Sequence, residues 1–509
     1  MRSFKFAFAA SFAAAALASV GAEAKYSDNV KVPMRDGVNL AADVYLPANR
    51  GDKIGCLLEF SPYSATKAST AEKHGTGRAE EWGCAHVWVD CRGLCNSEGV
   101  FETWEKRLND DAWDLLEWIS KQPWSNGRVV TVGGSYPGWT QLACLKSGHP
   151  ALVACAPSVV TFYPYTINYQ NGVLIPIFQE AWHSKLAGRA SWEELTRHPD
   201  RTDLYWRQRE DLGKLAKAKG RVCYQAGWFD MLGIETFRSF AKMPAGSVLR
   251  VGPWSHGVNT FDSPDIGYVK KNGSVTEDLE IEFLRSALEN REMKTKPPRI
   301  EVYTMGRDAW QTLEAWPVPG TEERRLYLAP EGKLTAEAPT LWKNLAARSI
   351  GKISFDYYPD DPTPSKGCRI IHGGGQYDLS EIAARRDVLS FATEPLAEPL
   401  EVTGEVKASL ACLSTAAESD FVVRLVDVYP DGKPYGILEG VYRGKFIDGV
   451  ERQIEWFLDI TSYEFQKGHR IGVQIAGAAA PHFQKSPNAA RETVALGASC
   501  VILPVIPRK

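Results

Sequence analysis

The sequence predicts an α/β protein with a parallel sheet, followed by a β-rich domain. Apolar runs alternate with helical patterns between residues 56 and 303, which is typical of a parallel sheet covered by helices. From about residue 321 the helical patterns largely vanish, and short β-rich runs between Gly, Pro and Asp turns predict a β-sandwich. With 509 residues, 44% of them hydrophobic, the chain is long enough for two or three cores.

The first predicted elements lead to one sheet edge. They are a hairpin with an Asp-Gly turn at 30–46, buried strands at 56–60 and 85–90, an amphipathic helix at 104–119 and a third buried strand at 129–132. Further strands are predicted at 221–226, 248–251 and 299–303, with a helix at 234–242 between the first two of these. In such sheets ligands bind at the carboxyl ends of the strands, so reactive side chains are expected there.

The segment 160–218 interrupts the alternation with an aromatic, charged and largely helical pattern. An insertion between sheet strands is expected to cover the active-site edge as a cap, although a helical appendage packed on the sheet would give the same pattern. The predicted boundaries are a core at 25–159 and 219–320, a helical cap at 160–218 and a β-sandwich domain at 321–509.

The N-terminus predicts an export signal over residues 1–24. Arg2 and Lys5 precede an apolar run that is followed by Ala22-Glu23-Ala24, the pattern of a cleavable secretory peptide. A membrane anchor is the weaker alternative because the apolar run is short. We therefore expect a periplasmic or secreted protein with no membrane association after cleavage. Its ten cysteines permit disulfides, but most stand in apolar contexts where buried thiols are equally plausible.

A glycine-rich turn around Ser135 follows the strand at 129–132. The stretch Gly133-Gly134-Ser135-Tyr136-Pro137-Gly138 leads directly into a helix-compatible segment. A serine on so sharp a strand-to-helix turn projects its hydroxyl above the sheet edge, beside the amides of the helix N-terminus. The pattern also fits a glycine-rich loop with an incidental serine.

Two further residues make the serine a candidate nucleophile. A serine hydroxyl needs a base within hydrogen-bond reach and a group that orients the base. Asp230 and His256 each follow a predicted strand, and Ser, Asp, His is the chain order of an α/β-hydrolase. We therefore expect Ser135, His256 and Asp230 to form a catalytic triad. The amide of Tyr136 is the natural first oxyanion donor, and Tyr63 could be the second or a packing aromatic.

Several motifs resemble the CocE/NonD hydrolases. They are Ser61-Pro62-Tyr63, Asp90-x-Arg92-Gly93, Gly133-x-Ser135-Tyr136-x-Gly138, Gly227-Trp228-x-Asp230 and Gly252-Pro253-Trp254-x-His256. The family includes cocaine esterase, α-amino-acid ester hydrolases and X-Pro dipeptidyl peptidases. The resemblance covers essentially the whole chain after the signal. It implies an α/β-hydrolase core, a helical cap and a C-terminal jelly roll, and it assigns the hydroxyl of Tyr63 to the oxyanion hole.

The residues around the motifs bear on the substrate. The α-amino-acid ester hydrolases bind an ammonium group with carboxylates, but residues 161–166 and 231–234 contain no acid here. An apolar, aromatic pocket is therefore favoured, although Glu180 or Glu235 could still bind an amine. The expected pocket residues are Trp139, Phe162, Tyr165, Trp228, Phe229 and Trp254. The chain is also short for the dipeptidyl peptidases, whose large accessory domains it lacks.

The sequence thus predicts a serine hydrolase that cleaves a small-molecule ester, or an amide, through an acyl-enzyme. X-Pro dipeptidyl-peptidase-like or acylase activity is the first alternative, and an inactive carbohydrate- or ligand-binding protein is the second. No metal or organic cofactor is expected. The net charge of −3 argues against a nucleic-acid partner. The oligomeric state is left open, and a homo-oligomer is compatible with the sequence.

Overall fold

A computed structural model describes residues 23–48, 50–63, 77–263, 266–337, 351–371 and 373–508. Most of the predicted signal peptide lies outside these residues. The described chain forms two large sheets, one of ten strands and one of eleven.

The first sheet and the segment inserted into it contain twelve strands. These are β1 (Lys25–Pro33), β2 (Asn39–Leu46), β3 (Ile54–Ser61), β4 (Ala85–Asp90), β5 (Ser125–Gly134), β6 (Leu152–Ser158), β7 (Tyr169–Gln170), β8 (Val173–Leu174), β9 (Arg221–Gly227), β10 (Val248–Gly252), β11 (Ile300–Thr304) and β12 (Ala309–Leu313). The sheet order is β1-β2-β4-β3-β5-β6-β9-β10-β11-β12, while β7 and β8 form a separate hairpin. The seven neighbouring strands β4, β3, β5, β6, β9, β10 and β11 are parallel. The pairs β1–β2, β2–β4 and β11–β12 are antiparallel and form the two edges of the sheet.

The helices follow in chain order. They are α1 (Gly77–Trp82), α2 (Leu108–Ser120), α3 (Tyr136–Ser147), α4 (Pro164–Asn168), α5 (Gln179–Ala187), α6 (Arg189–Leu195), α7 (Leu204–Glu210), α8 (Thr236–Phe240), α9 (Asp278–Leu288) and α10 (Ser380–Ala383). Short 3₁₀ helices span Leu212–Lys217, Met231–Glu235 and Pro330–Gly332.

Helices cover both faces of the parallel sheet. Successive side chains of a strand point to opposite faces. Val129 accordingly belongs to the large core that contains α2 and α3, whereas Val130 and Val132 pack in a second core with Phe283 and Leu284 of α9. This burial on both sides explains why the parallel strands read as nearly continuous apolar runs.

The segment between β6 and β9 forms the cap. It contains α4 to α7, and a small cluster of aromatic and leucine side chains gives it a core of its own. The sequence suggested no clear strands here, but the β7–β8 hairpin is present. Gln170 and Asn171 of this hairpin donate hydrogen bonds to carbonyls of the β-rich domain. The cap therefore contacts both other parts of the protein.

The second sheet is the C-terminal β-rich domain. Its strands are β13 (Glu322–Ala329), β14 (Lys333–Thr335), β15 (Gly351–Tyr357), β16 (Val388–Ala392), β17 (Leu400–Ser414), β18 (Glu418–Val428), β19 (Pro434–Lys445), β20 (Arg452–Phe465), β21 (Arg470–Ala476), β22 (Ala490–Leu496) and β23 (Cys500–Ile506). The order is β15-β22-β17-β23-β13-β14-β16-β21-β18-β19, and β20 pairs with β17. Nearly every pairing is antiparallel, as a sandwich requires.

Two predicted helices differ from the structure. The helix expected at 104–119 begins only at Leu108, because Trp104 has φ = 59° and cannot continue a right-handed helix. The helix expected at 234–242 is a 3₁₀ turn, Met231–Glu235, followed by α8. In both places the chain bends to bring a loop to the carboxyl edge of the sheet.

The ten cysteines all lie in described ranges and form no disulfide there, and every one except Cys95 is buried. The described residues contain no cluster of three or more His, Cys, Asp or Glu side chains suited to a metal ion. Among the described helices, none combines the length and apolar character needed to cross a bilayer.

Candidate active site

Ser135 occupies the turn between β5 and α3. Its backbone has φ = 60° and ψ = −128°, a conformation that costs a residue with a side chain about 1–3 kcal/mol. The turn is possible because a neighbouring glycine leaves room for it. A Cβ on Gly133, whose φ is 137°, would lie 2.6 Å from the Cβ of Pro137.

The side chains of Ser135, His256 and Asp230 lie in successive hydrogen-bond contact. The Oγ of Ser135 is 3.0 Å from Nε2 of His256, and Nδ1 of His256 is 2.8 Å from Oδ1 of Asp230. Asp230 has no exposed surface, whereas His256 keeps 15% of its side chain accessible. In space, therefore, the histidine stands between the serine and the aspartate, although it comes last of the three along the chain.

Asp230 determines the electrostatics of the histidine. Burial by itself lowers the pKa of His256, but the negative charge of Asp230 and its hydrogen bond outweigh burial and raise the pKa above its ordinary value. Only a protonated Nδ1 can donate to a carboxylate, so this contact leaves Nε2 as the acceptor facing Ser135.

Close backbone packing joins the loops that carry Asp230 and His256. The amide of Trp228 donates to the carbonyl of Gly252 at 2.8 Å, and the amide of Phe229 donates to the carbonyl of Trp254 at 2.9 Å. A Cβ on Gly227 would lie 2.2 Å from the carbonyl oxygen of Trp254. The ends of β9 and β10 thus approach closely because residue 227 is a glycine.

Tyr63 faces the serine from the end of β3. Trp182, on cap helix α5, donates from Nε1 to the Tyr63 hydroxyl at 3.0 Å. Partial burial raises the pKa of Tyr63, while hydrogen bonds with Trp182 and Ser135 act in the opposite direction. The phenol is therefore protonated at neutral pH. Since Trp182 occupies a lone pair of the oxygen, the hydroxyl proton can be directed to another acceptor.

Two aromatic rings and a hydrogen bond of the neighbouring residue hold Trp182 in place. Its ring lies 5.8 Å from the ring of Trp104 and 5.6 Å from that of Tyr136. The next residue, His183, is fully buried and hydrogen-bonds Thr103 at 2.9 Å. Burial lowers the pKa of His183 to about 4, so this contact persists as a neutral one over the physiological range. The cap helix is thereby fixed to the segment that precedes α2.

Tyr136 contributes its main chain to the site. Its ring is 2% exposed and packs against Phe101 and Trp104, so the side chain belongs to the core. Its amide is the first of α3, and the first four amides of a helix have no intrahelical acceptor. This donor lies directly beside Ser135, at the positive end of the helix.

The expected pocket residues are core residues in this structure, which corrects that interpretation. Each is at most 4% exposed: Trp139, Phe162, Tyr165, Trp228, Phe229 and Trp254. The indoles of Trp228 and Trp254 donate to the carbonyls of Tyr303 and Gly273 inside the fold. Tyr165 packs in the separate core of the cap, beside Trp206. Side chains with so little accessible surface offer a substrate almost nothing to contact in this conformation.

The two acids considered as ammonium ligands are already paired. Glu235 is 2% exposed and contacts Arg201 at 2.8 Å and Arg238 at 3.3 Å. Glu180 contacts Arg189 at 2.7 Å. Glu235 is therefore paired with two arginines, whereas Glu180 shares Arg189 with Glu193 on the surface.

Sequence reasoning did not assign a site role to Trp182. It lies among the many aromatic residues of the cap, and spacing along the chain does not distinguish it from Trp192 or Trp206, which are buried within the cap core. Its contact with Tyr63 joins residues 119 positions apart. Only a signal of spatial proximity could have identified it.

Two family models match the chain. Residues 36–190 match the X-Pro dipeptidyl-peptidase (S15 family), and residues 292–503 match the X-Pro dipeptidyl-peptidase C-terminal non-catalytic domain. Cocaine esterase of Rhodococcus sp. (strain MB1 Bresler) is 31% identical, over 91% of this chain and 92% of its own length.

Solved structures share the fold over nearly the whole length. An aminopeptidase from a marine-sediment Thaumarchaeota archaeon has a TM-score of 0.79 at 23% identity, covering 95% of this chain and 96% of its own. A CocE/NonD family hydrolase from Staphylococcus aureus has a TM-score of 0.74 at 18% identity, covering 94% of each chain. At these identities the likeness concerns the fold alone. Together with the Rhodococcus relative and the two family models, it shows that the chain belongs to the CocE/NonD family of serine hydrolases.

Proposed function

We propose that the protein is an exported carboxylesterase that uses Ser135 as its nucleophile, His256 as general base and Asp230 as orienting acid. The observation that carries this proposal is the continuous contact from Ser135 Oγ through His256 to Asp230, at 3.0 and 2.8 Å. Export rests on the signal-like residues 1–24.

In the acylation step, His256 Nε2 accepts the proton of Ser135 as Oγ attacks the ester carbonyl. The tetrahedral oxyanion forms beside the amide of Tyr136 and the hydroxyl of Tyr63, which stabilise it as two hydrogen-bond donors. His256 then gives the proton to the departing alkoxide, which leaves as an alcohol, and the acyl group remains bound to Ser135 as an ester. Asp230 stabilises the imidazolium throughout without taking up its proton.

In the deacylation step, water repeats the sequence. His256 removes a proton from the water as its oxygen attacks the acyl carbon, and the same two donors stabilise the second oxyanion. The Ser135 oxygen leaves with the proton from His256, and the carboxylic acid is released. The partners are therefore an ester substrate and water, with no further reactant.

Ester cleavage is favoured over X-Pro peptide cleavage by the pairing of Glu180 and Glu235. A dipeptidyl peptidase must compensate the free ammonium of its substrate, and an unpaired buried charge costs several kcal/mol. The buried Glu235 is already paired with Arg201 and Arg238, and Glu180 contacts Arg189. The match to the S15 family model keeps peptide cleavage as the second candidate.

Replacement of the proposed nucleophile tests the mechanism. Ser135→Ala should lower the turnover of a p-nitrophenyl ester by about 10⁴-fold or more and abolish labelling by a fluorophosphonate probe, because no oxygen remains to be acylated. Ser147→Ala is the matched control at the other end of α3, where the hydroxyl donates to the carbonyl of Cys144 and accepts from the amide of His149. Full turnover by Ser135→Ala would rule out the proposed nucleophile.

A pH profile tests the role of His256. The base acts only when neutral, so kcat/KM should rise with pH through an apparent pKa above the ordinary value of ~6.5 and then level off. Asp230→Asn removes the charge that raises this pKa while burial still lowers it, so its acid limb should move to lower pH, with a much lower plateau. An unshifted acid limb in Asp230→Asn contradicts the assignment.

A double-mutant cycle tests the oxyanion donors. Tyr63→Phe should lower kcat by about 100-fold, the usual effect of removing one such donor, with little change in KM. Trp182→Phe keeps an aromatic ring but loses the N–H that orients the Tyr63 hydroxyl, and should lower kcat by about 10-fold. In the Tyr63→Phe background Trp182→Phe should have no further effect on kcat. Additive losses would mean that Trp182 acts by another route.

A substrate panel separates the two candidate activities. Short p-nitrophenyl esters should exceed Ala-Pro-p-nitroanilide in kcat/KM by about 100-fold or more, since the anilide brings an uncompensated ammonium into the cap. Glu235→Gln is the informative variant, because ester turnover should not depend on that carboxylate. Preferential cleavage of the anilide, lost in Glu235→Gln, would instead establish the peptidase.

A further inference from the structure

Arg369 connects the β-rich domain to the loop of Asp230. It lies between β15 and α10, within the region that matches the non-catalytic domain model. Its NH1 donates to the main-chain carbonyl of Asp230 at 2.9 Å. Arg369 is only 6% exposed, so this contact is shielded from water and competing solvent hydrogen bonds.

The rest of the guanidinium is held within the β-rich domain. Nε donates to Oδ2 of Asp459 at 2.5 Å, and NH2 donates to the carbonyl of Ile460 at 3.4 Å. Asp459 is 2% exposed and lies on β20 beside an irregularity in its pairing with β17. Such bulges redirect side chains next to active sites. Each nitrogen of the fork therefore has an acceptor, which gives the planar group a single orientation.

Glycines allow the close approach of the two segments. A Cβ on Gly233 would lie 2.4 Å from NH1 of Arg369. A Cβ on Gly374 would lie 2.6 Å from the carbonyl oxygen of Phe229, the residue before Asp230. Both glycines sit where a side chain would push the β-rich domain away from the Asp230 loop.

The segment that carries Arg369, between Cys368 and Gln376, also contacts the chain that follows His256. The amide of Gln376 donates to the Ser263 hydroxyl at 2.8 Å, and a Cβ on Gly375 would lie 2.2 Å from that oxygen. Backbone hydrogen bonds between Cys368 and Gly375, at 2.7 and 2.9 Å, join the two ends of the segment. One structural unit thus packs on the loops of both the acid and the base.

From these contacts we propose that Arg369 is a positioning residue for Asp230, through which the β-rich domain sets the geometry of the Asp230–His256 pair. The proposal rests on the proposed function of the triad. Because Arg369 bonds the carbonyl and not the carboxylate, it fixes where Asp230 stands and leaves Oδ1 available to His256. A displacement of about 1 Å at a catalytic group can lower the rate by about 100-fold.

The test is made on the full-length protein with Arg369→Met, which keeps much of the side-chain volume but removes the donors. Rates are normalised to active sites titrated with a fluorophosphonate, so that unfolded protein does not count. We expect kcat for a p-nitrophenyl ester to fall by about 10- to 100-fold with little change in KM. The acid limb of the pH profile should move toward that of Asp230→Asn, and Arg369→Lys should recover part of the loss.

Arg307→Met is the matched control. Arg307 also joins the first sheet to carboxylates of the β-rich domain, contacting Glu401 at 2.6 Å and Glu464 at 2.5 Å, but it makes no contact with the triad loops among the bonds of the described chain. Its loss should lower the melting temperature while leaving kcat per active site and the acid limb unchanged. An equal loss of kcat in both arginine variants would overturn the proposal.

A second cycle separates positioning from general damage to the fold. Adding Arg369→Met to Asp230→Asn should lower kcat no further, because the interaction that Arg369 positions is already lost. If Arg369→Met does not fold, Asp459→Asn removes the charge that orients the guanidinium and should reproduce a smaller kcat loss with the same pH shift. Wild-type kcat and an unchanged acid limb in these variants, with Ser135→Ala inactive, would overturn the role of Arg369 alone. An active Ser135→Ala would instead overturn the proposed function.

Discussion

The site depends on a strained turn of the backbone at Ser135. A positive φ at a serine is unfavourable, and it persists here because the surrounding packing defines it. The amide of Ser135 donates to the carbonyl of Ser158 at 3.0 Å, and a Cβ on Gly134 would lie 2.7 Å from the Ser158 hydroxyl. Strand β6 therefore holds the turn from the side. The stability of the parallel sheet offsets the backbone strain at Ser135.

Three parts of the chain meet around this turn. The parallel sheet supplies Ser135, Asp230 and His256, the cap brings Trp182 to the hydroxyl of Tyr63, and the β-rich domain contacts the carbonyl of Asp230. Ser135, Asp230 and His256 thus stand at one edge of a single sheet. The surrounding contacts come from the cap, which has a small core of its own, and from the β-rich domain, which shares the large core of the sheet.

The sequence predicted the positions of Ser135, Asp230 and His256 better than the residues around them. The Ser135, Asp230 and His256 side chains come together as expected because each follows a parallel strand, and parallel strands end at a common edge. The pocket prediction failed because it selected aromatic residues next to the motifs. Trp228 and Trp254 adjoin the site along the chain, yet their side chains point into the core, where each indole finds a carbonyl acceptor.

The sequence by itself determined the alternation of strands and helices in the first domain, the β-rich character of the second domain and the three side chains at the sheet edge. These properties follow from local periodicity and chain order, both of which can be determined from the amino-acid sequence alone. Only the tertiary structure decided that Trp182 meets Tyr63 and that Arg369 meets Asp230, contacts that span 119 and 139 positions. Such pairs depend on how separately folded segments dock, and no local pattern in the sequence encodes that geometry.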